Sequence, residues 1–307
     1  MKTLAECTTA PTLARPSPGR ADHFTPTFNL DEDEATLAVD AGHEALATAQ
    51  IGPERVTSLV AVGEHSSEWG PVAQVALGLR HATLDVRVAP AGPAVTGVRL
   101  TLSSSGVRAG APGTASGRTE ATARLDVDDG FVGAPGRPLE TGRLVGAIAL
   151  TAELSQRLVR AEAKALASVP MGANIPRATW DASLEARYRL LASVCDHCKV
   201  GHHPPLNPCP TCGRHTRPES LWNPGKLHTW TVVAAGAGPS EFDPWQDVWG
   251  EYGVAVVDYD HGVRVAGMVV DTDLKALKVG VRMEPVFRRL YAQDGAWRYG
   301  VKFRAVP

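Results

Sequence analysis

Four cysteines within 18 residues constrain this chain more than any other feature of its 307 residues. They fall as two pairs, Cys195-x-x-Cys198 and Cys209-x-x-Cys212, with ten residues between the pairs and Gly213 after the second. Each C-x-x-C segment can close into a tight turn that aims two thiolates at one point. Two such turns facing each other make the tetrahedral all-sulfur site that zinc favours. The interval is that of a zinc ribbon, slightly shorter than the generic spacing. Two disulfides are the alternative use of the same thiols. Clustered C-x-x-C thiols, in a chain whose Met1–Cys7 stretch has no apolar signal core, argue instead for a reducing cytoplasmic setting and for metal. Four thiolates leave no open coordination position, so the zinc is expected to be structural. The fifth cysteine, Cys7, stands alone and reads as an ordinary free thiol.

The length suffices for two domains of ordinary size. A hydrophobic content of 44%, a charged content of 21% and a net charge of −2 describe a globular chain without general attraction to nucleic acid or acidic membranes. No apolar run approaches the length of a membrane span. Residues 1–24, rich in Thr, Pro and Ala, are expected to be a loose leader. Asp31 to Gln50 has helical spacing (Ala38, Ala41, Ala45, Leu46, Ala49), with Asp31 as cap and Glu34 completing a capping box. Val56 to Val62 reads as a buried strand, Pro71 to Leu79 as a second helix, and Val98 to Ser103 and Leu144 to Leu150 as further strands. Helices alternating with strands in this way predict a parallel or mixed α/β layer. The Gly-rich segment 104–143 lacks the Lys-Ser or Lys-Thr of a phosphate loop. Its acidic turn at Asp126, Asp128 and Asp129 lacks the remaining oxygens of a calcium loop, so both features read as ordinary loops. Ala152 to Ser168 and Trp180 to Leu191 are predicted helices leading into the ribbon.

After the ribbon the period changes to two. Lys226 to Val233, Gly253 to Tyr259, Val263 to Val270, Val279 to Phe287 and Trp297 to Ala305 are five short strands at roughly ten-residue spacing, which suggests a small Greek-key barrel of OB type.

Two family resemblances follow. Asp31-Glu32-Asp33-Glu34-Ala35-Thr36-Leu37-Ala38-Val39-Asp40-Ala41, with Ala45-Leu46, Ile51 and Leu59-Val60-Ala61-Val62, resembles the opening of the thiolase-like superfamily. The nearest likeness is to hydroxymethylglutaryl-CoA synthases and ketoacyl synthase III enzymes, and it spans about residues 25–150. That resemblance implies a nucleophilic Cys at the head of a buried helix, where the helix N-terminus lowers the thiol pKa. The corresponding stretch here is Pro90 to Gly97, and no Cys occurs between Cys7 and Cys195. The N-terminal half is therefore expected to be a truncated thiolase-like domain without its nucleophile.

The second resemblance rests on Cys195-x-x-Cys198, His203-Pro204-Pro205, Cys209-Pro210-x-Cys212-Gly213 and Gly225-Lys226-Leu227-His228-Thr229-Trp230-Thr231-Val232-Val233. It continues through Val254 to Asp258 and Leu277 to Met283. This stretch, about 185–307, is similar to the DUF35 family, a rubredoxin-like ribbon followed by an acyl-CoA-associated OB-fold. Members of that family accompany thiolases: acetoacetyl-CoA thiolase, acyltransferases making acylated phenols, benzoylsuccinyl-CoA thiolase and thiolase-like aldolases acting on steroid side chains. The resemblance implies a hetero-oligomer with a full-length thiolase-superfamily protein, an acyl-CoA or acyl-thioester substrate, and no catalytic residue in this chain.

The expected organisation is a flexible leader (1–24), a degenerate thiolase-like α/β domain (25–150), a helical linker (151–191), a zinc ribbon (192–220) and a five-stranded OB-fold β-barrel (221–307). Zinc ligands are Cys195, Cys198, Cys209 and Cys212. Candidates for a CoA channel are Trp245, Trp249 and Tyr252, on a loop from Phe242 to Tyr252, for the pantetheine arm. Arg214, Arg217, Lys226, Arg288 and Arg289 are candidates for the phosphates. The Trp-rich loop reads equally as a barrel plug or subunit contact, whereas Arg288 and Arg289 read more readily as a solvated strand edge. His197, His202, His203 and His215 are expected beside the metal or at the surface. Two other functions compete: a zinc-ribbon/OB nucleic-acid-binding module, and an autonomous acyl-CoA enzyme.

Overall fold

The computed structural model describes residues 2–9, 13–17, 20–27, 31–63, 65–87, 98–105, 120–127, 148–149, 152–167, 177–293 and 295–306. The chain divides into two units, Met1–Val159 and Arg160–Pro307.

The first unit contains strands β1 (Lys2–Thr9), β2 (Leu13–Ser17) and β3 (Arg20–Thr27), helix α1 (Glu34–Ala49), β4 (Ser58–Val62), α2 (Ser66–Ala76), β5 (Thr83–Arg87), β6 (Val98–Ser105), β7 (Glu120–Val127) and β8 (Ile148–Ala149). Helix α3 (Ala152–Ala167) carries the chain across the division. A five-stranded mixed sheet has the order β1-β7-β6-β4-β5. Within it β4 runs parallel to both β5 and β6, and β7 runs antiparallel to β6 and β1. Every residue of β4 is buried, the pattern of a central strand covered on both faces. Strands β2, β3 and β8 make a small separate sheet.

Helix α1 lies over β1, β7 and β6, and α2 packs on β4 and β5. The core gathers Leu37, Ala38, Ala41 and Ala45 of α1, Leu59 and Ala61 of β4, Leu100 and Leu102 of β6, and Leu77 and Leu79. Small residues on α1 permit this closeness: a Cβ on Gly42 would stand 2.7 Å from Leu77 Cδ1.

Four expectations change here. The 1–24 segment is not a loose leader, because β1 is the edge strand of the main sheet and pairs with β7 more than a hundred residues away. The loop reading of the acidic turn changes at its start, because Asp126 and Val127 end strand β7 (Glu120–Val127). The cap of α1 is Asp33 rather than Asp31. Asp33 Oδ1 accepts the Thr36 N–H at 3.0 Å and Thr36 Oγ1 accepts the Asp33 N–H at 2.9 Å, a capping box made with Thr where the sequence suggested Glu34. Pro71 lies inside α2, not at its start. The expected nucleophile segment, Pro90 to Gly97, lies outside the described residues, as do most of Leu144 to Leu150 and the glycines at 106, 110, 113 and 117.

In the second unit, α4 (Arg177–Tyr188) leads into the ribbon sheet: β9 (Leu191–Val194) flanked by β10 (Gly201–His202) and β11 (Arg217–Ser220). The barrel follows as β12 (Gly225–Val233), a short helix α5 (Asp243–Trp249), β13 (Tyr252–Asp258), β14 (Arg264–Val269), β15 (Arg282–Gln293) and β16 (Ala296–Ala305). Its strands close in the order β12-β13-β14-β16-β15 and back to β12, with β14 and β16 parallel and the other pairs antiparallel. This is the five-stranded OB arrangement that the strand spacing predicted.

Ribbon and barrel share one core. Leu190, Ala192 and Leu221 pack with Leu227, Ala255, Val257, Val263, Val265, Met283 and Phe303. The contact is tight at Gly201, where a Cβ would lie 2.3 Å from Val263 Cγ2. Aromatic rings pack together on β15, β16 and α4. Phe287 meets Tyr188 edge-on at 5.3 Å and stacks on Tyr299 at 5.7 Å.

Candidate metal centre

The ribbon turns hold the four cysteines by backbone geometry. The Cys195 N–H donates to the Val200 carbonyl and the Lys199 N–H to the Cys195 carbonyl, closing the first turn. The second repeats it: Cys209 N–H to the Arg214 carbonyl and Gly213 N–H to the Cys209 carbonyl. The residue after each second cysteine takes a positive φ, 58° at Lys199 and 72° at Gly213. That explains the Gly, which enters the left-handed region without cost. The four sulfurs lie within 4.8 Å of one another, with Cys195 and Cys212 Sγ 3.6 Å apart. A tetrahedral zinc with Zn–S bonds of about 2.3 Å requires sulfurs about 3.8 Å apart, so the cluster fits the ion. Cys195 and Cys209 are buried and Cys198 and Cys212 are partly exposed. These four residues form a structural zinc site.

As free thiols, Cys198 and Cys209 are shifted in opposite directions. The Cys198 thiol is pushed up to about 12, first by the Cys212 sulfur, then by desolvation and Cys195. For Cys209 desolvation acts upward, but the N–H groups of Cys212 and Thr211 and the His202 ring outweigh it and bring the thiol down to about 6. Each thiolate-stabilising donor here also favours metal ligation, because zinc binds the deprotonated sulfur.

The four histidines of the ribbon take different surroundings. His197 Nδ1 is 3.8 Å from Cys198 Sγ, His202 adjoins Cys209, His203 Nδ1 lies 2.8 Å from the Leu191 carbonyl, and His215 is exposed.

The remaining candidates divide. Trp245 and Trp249 come together, their ring centroids 6.1 Å apart, but on helix α5 and not on a loop. Tyr252 is buried at the start of β13 and packs on Phe242. Arg214 and Arg217 are exposed on the ribbon and Lys226 on β12; Arg217 is bound to Glu219 and Asp196. The solvated-edge reading of Arg288 and Arg289 is overturned, as they are only 2% and 3% exposed. Arg288 donates to Asp271 at 3.2 Å and to the Phe287 carbonyl. Arg289 meets Glu162 at 3.4 Å and lies over the Trp297 ring. A buried guanidinium needs such partners.

Sequence reasoning missed Lys302, which is 1% exposed with its ammonium 4.6 Å from the Trp245 ring centre. A single Lys in a period-two strand gives no sign of burial. No helix among the described residues is long and apolar enough to cross a membrane.

Comparison with known proteins places this centre. The model of the ChsH2 rubredoxin-like zinc ribbon domain matches residues 182–216. A DUF35 domain-containing scaffold protein of Methanothermobacter thermautotrophicus is 32% identical over 130 residues, which span 41% of this chain and 92% of that protein. Among solved structures, the Ltp2-ChsH2(DUF35) aldolase is 23% identical, covering 44% of this chain and 98% of that one, with a TM-score of 0.33. A Bacillus HMG-CoA synthase, PksG, is 15% identical over 40% of each chain, with a TM-score of 0.32. With a ribbon matching that model, an OB-type barrel behind it and a relative whose length it almost fully covers, the chain belongs to the DUF35 family.

Proposed function

We propose that this chain is a non-catalytic, zinc-containing accessory subunit of a thiolase-superfamily complex acting on acyl-CoA or acyl-thioester substrates by condensation, thiolysis or retro-aldol cleavage. Membership of the DUF35 family carries the reading, together with the name of scaffold protein borne by the archaeal relative. The thiols support it. Four of the five cysteines are zinc ligands, and none lies between Cys7 and Cys195, where the N-terminal resemblance would require a nucleophile. A thiolase-superfamily partner would supply Cys and His, and this chain would shape the channel for the acyl carrier.

In that role Trp245 and Trp249 of α5 offer an apolar wall, Tyr252 lies close by in sequence at the start of β13, and Arg214 and Lys226 are exposed cations for the carrier phosphates. Co-expression with a full-length thiolase-superfamily protein encoded beside it tests the reading by native mass. A hetero-oligomer that survives gel filtration supports it. Two species that elute separately at micromolar concentration overturn it. In such a complex Trp249→Ala should raise KM for the acyl-CoA substrate and leave the partner's kcat within about twofold, since wall contacts bind ground and transition states alike.

A further inference from the structure

The outer face of the barrel carries a row of charges whose register is fixed by strand pairing. Lys226 of β12 stands opposite Asp258 of β13 on one side and opposite Arg282 of β15 on the other. Asp258 in turn stands opposite Arg264 of β14. Directly opposed residues project to the same face, so Arg282, Lys226, Asp258 and Arg264 form one row across four strands. The row holds a single carboxylate, and both of its oxygens are engaged. Oδ1 accepts from Arg264 Nε at 2.8 Å, and Oδ2 lies 2.8 Å from His228 Nδ1. His228 reaches Asp258 from a register shift in β12 between Leu227 and Thr229, where a bulge re-aims the side chain.

Lys226 and Arg282 are exposed and make no ion pair among the described residues. Like charges directly opposed on one face are destabilising, and the row's one carboxylate, Asp258, is already engaged by Arg264 and His228. The turn that leads into β15 is bonded to the same strand: Gly280 N–H donates to the Leu227 carbonyl and Leu227 N–H to the Val281 carbonyl. It carries a further exposed cation, Lys278.

We propose that Lys226 and Arg282 form a binding site for a phosphate group of a small soluble ligand, with Lys278 at its rim. The guanidinium supplies a planar fork of donors matched to phosphate oxygens, and the ammonium adds a compact charge. Two adjacent positive charges balance a phosphate dianion and relieve their own repulsion when it binds. Asp258 is paired with the Arg264 guanidinium, which offsets its charge toward the anion. The site takes Lys226 from the proposed carrier contact and rests on that reading for its ligand, whereas its test reads the barrel without a partner.

Calorimetric titration of the zinc-loaded full chain with inorganic pyrophosphate at low ionic strength tests it, with a 15-residue oligothymidylate as a second arm. Saturable binding is expected, weakened at least about tenfold by Lys226→Met and by Arg282→Met, each removing a charged hydrogen-bond donor. Arg80→Met, which removes an exposed cation of the first unit, should leave affinity unchanged. Either barrel substitution should also preserve or raise Tm in the absence of pyrophosphate, so that lost binding is not lost folding. Absence of saturable pyrophosphate binding, or binding indifferent to both substitutions, overturns the proposal. Oligothymidylate that binds more tightly than pyrophosphate and displaces it also overturns it, by reassigning the row to nucleic acid.

Discussion

Cys195 and Cys209 are buried against the ribbon, whereas Cys198 and Cys212 reach its surface, so the four zinc ligands differ in exposure but not in necessity. Replacement of Cys198 by Ser removes a thiolate and offers a hydroxyl that stays protonated. Because structural zinc contributes about 10–16 kcal/mol of folding free energy to small metal domains, Cys198→Ser should purify with well under one zinc per chain and lose solubility. Metal analysis after gel filtration in the presence of a chelator checks this, and one full equivalent of zinc in a folded variant would refute the ligand assignment.

At Asp258 desolvation acts upward, but the hydrogen bonds from Arg264 and His228 outweigh it and hold the carboxyl below its ordinary value. A depressed carboxylate contributes stability above its unfolded pKa of about 3.9 and loses it as pH falls through the lower folded value. The pair is more than a third exposed, so Asp258→Asn should cost less than about 1 kcal/mol at pH 7. Urea titrations at pH 7 and pH 3 should show that difference shrinking toward the lower pH. The zinc ligands were legible residue by residue, since spacing alone fixes them. The roles of Arg288, Arg289 and Lys302 were not, because burial of a strand cation depends on what covers it, and Glu162, Asp271 and Trp245 lie far off in sequence.

Elements built from local signals match their sequence reading most closely. The ribbon turns follow from C-x-x-C with a Gly, and the five barrel strands from their period of two. Helix α1 shows the limit of that logic. Its apolar spacing locates it, but the choice of Asp33 over Asp31 as cap depends on the Thr36 hydroxyl closing the box. Asp33→Ala should therefore cost about 1 kcal/mol, read as a lower urea midpoint, while Asp31→Ala should not remove the cap. Strands β1 and β7 escaped notice because each is a short, Thr- and Ala-containing segment that becomes a strand only by pairing with a distant partner. Helix α5 escaped because Trp245 and Trp249 in a Pro-containing stretch resemble a loop. The ribbon's seat on the barrel makes its own prediction. Gly201→Ala places a methyl against the stiff Val263 side chain, which should destabilise the second unit by about 1–3 kcal/mol without removing a zinc ligand, as thermal unfolding with parallel zinc analysis would show.

At the scale of the whole molecule, two compact units are joined in one polypeptide. The second is the DUF35 part: a zinc-stapled ribbon sharing its core with a closed barrel, an arrangement that fixes shape and offers surface. The first is an α/β unit whose mixed sheet agrees with the alternation of helices and strands in the sequence. What it would lend to a complex follows from its resemblance to the thiolase-like opening and belongs to the proposal. An accessory subunit predicts chemistry that appears only with its partner. The most direct measurement is thioester turnover (thiolysis, condensation and retro-aldol cleavage of acyl-CoA substrates) by the zinc-loaded chain purified alone and then co-purified with a full-length thiolase-superfamily protein. Turnover confined to the co-purified complex is the predicted result. Robust turnover by the chain alone, with an acyl adduct found on it by mass spectrometry, would contradict the account.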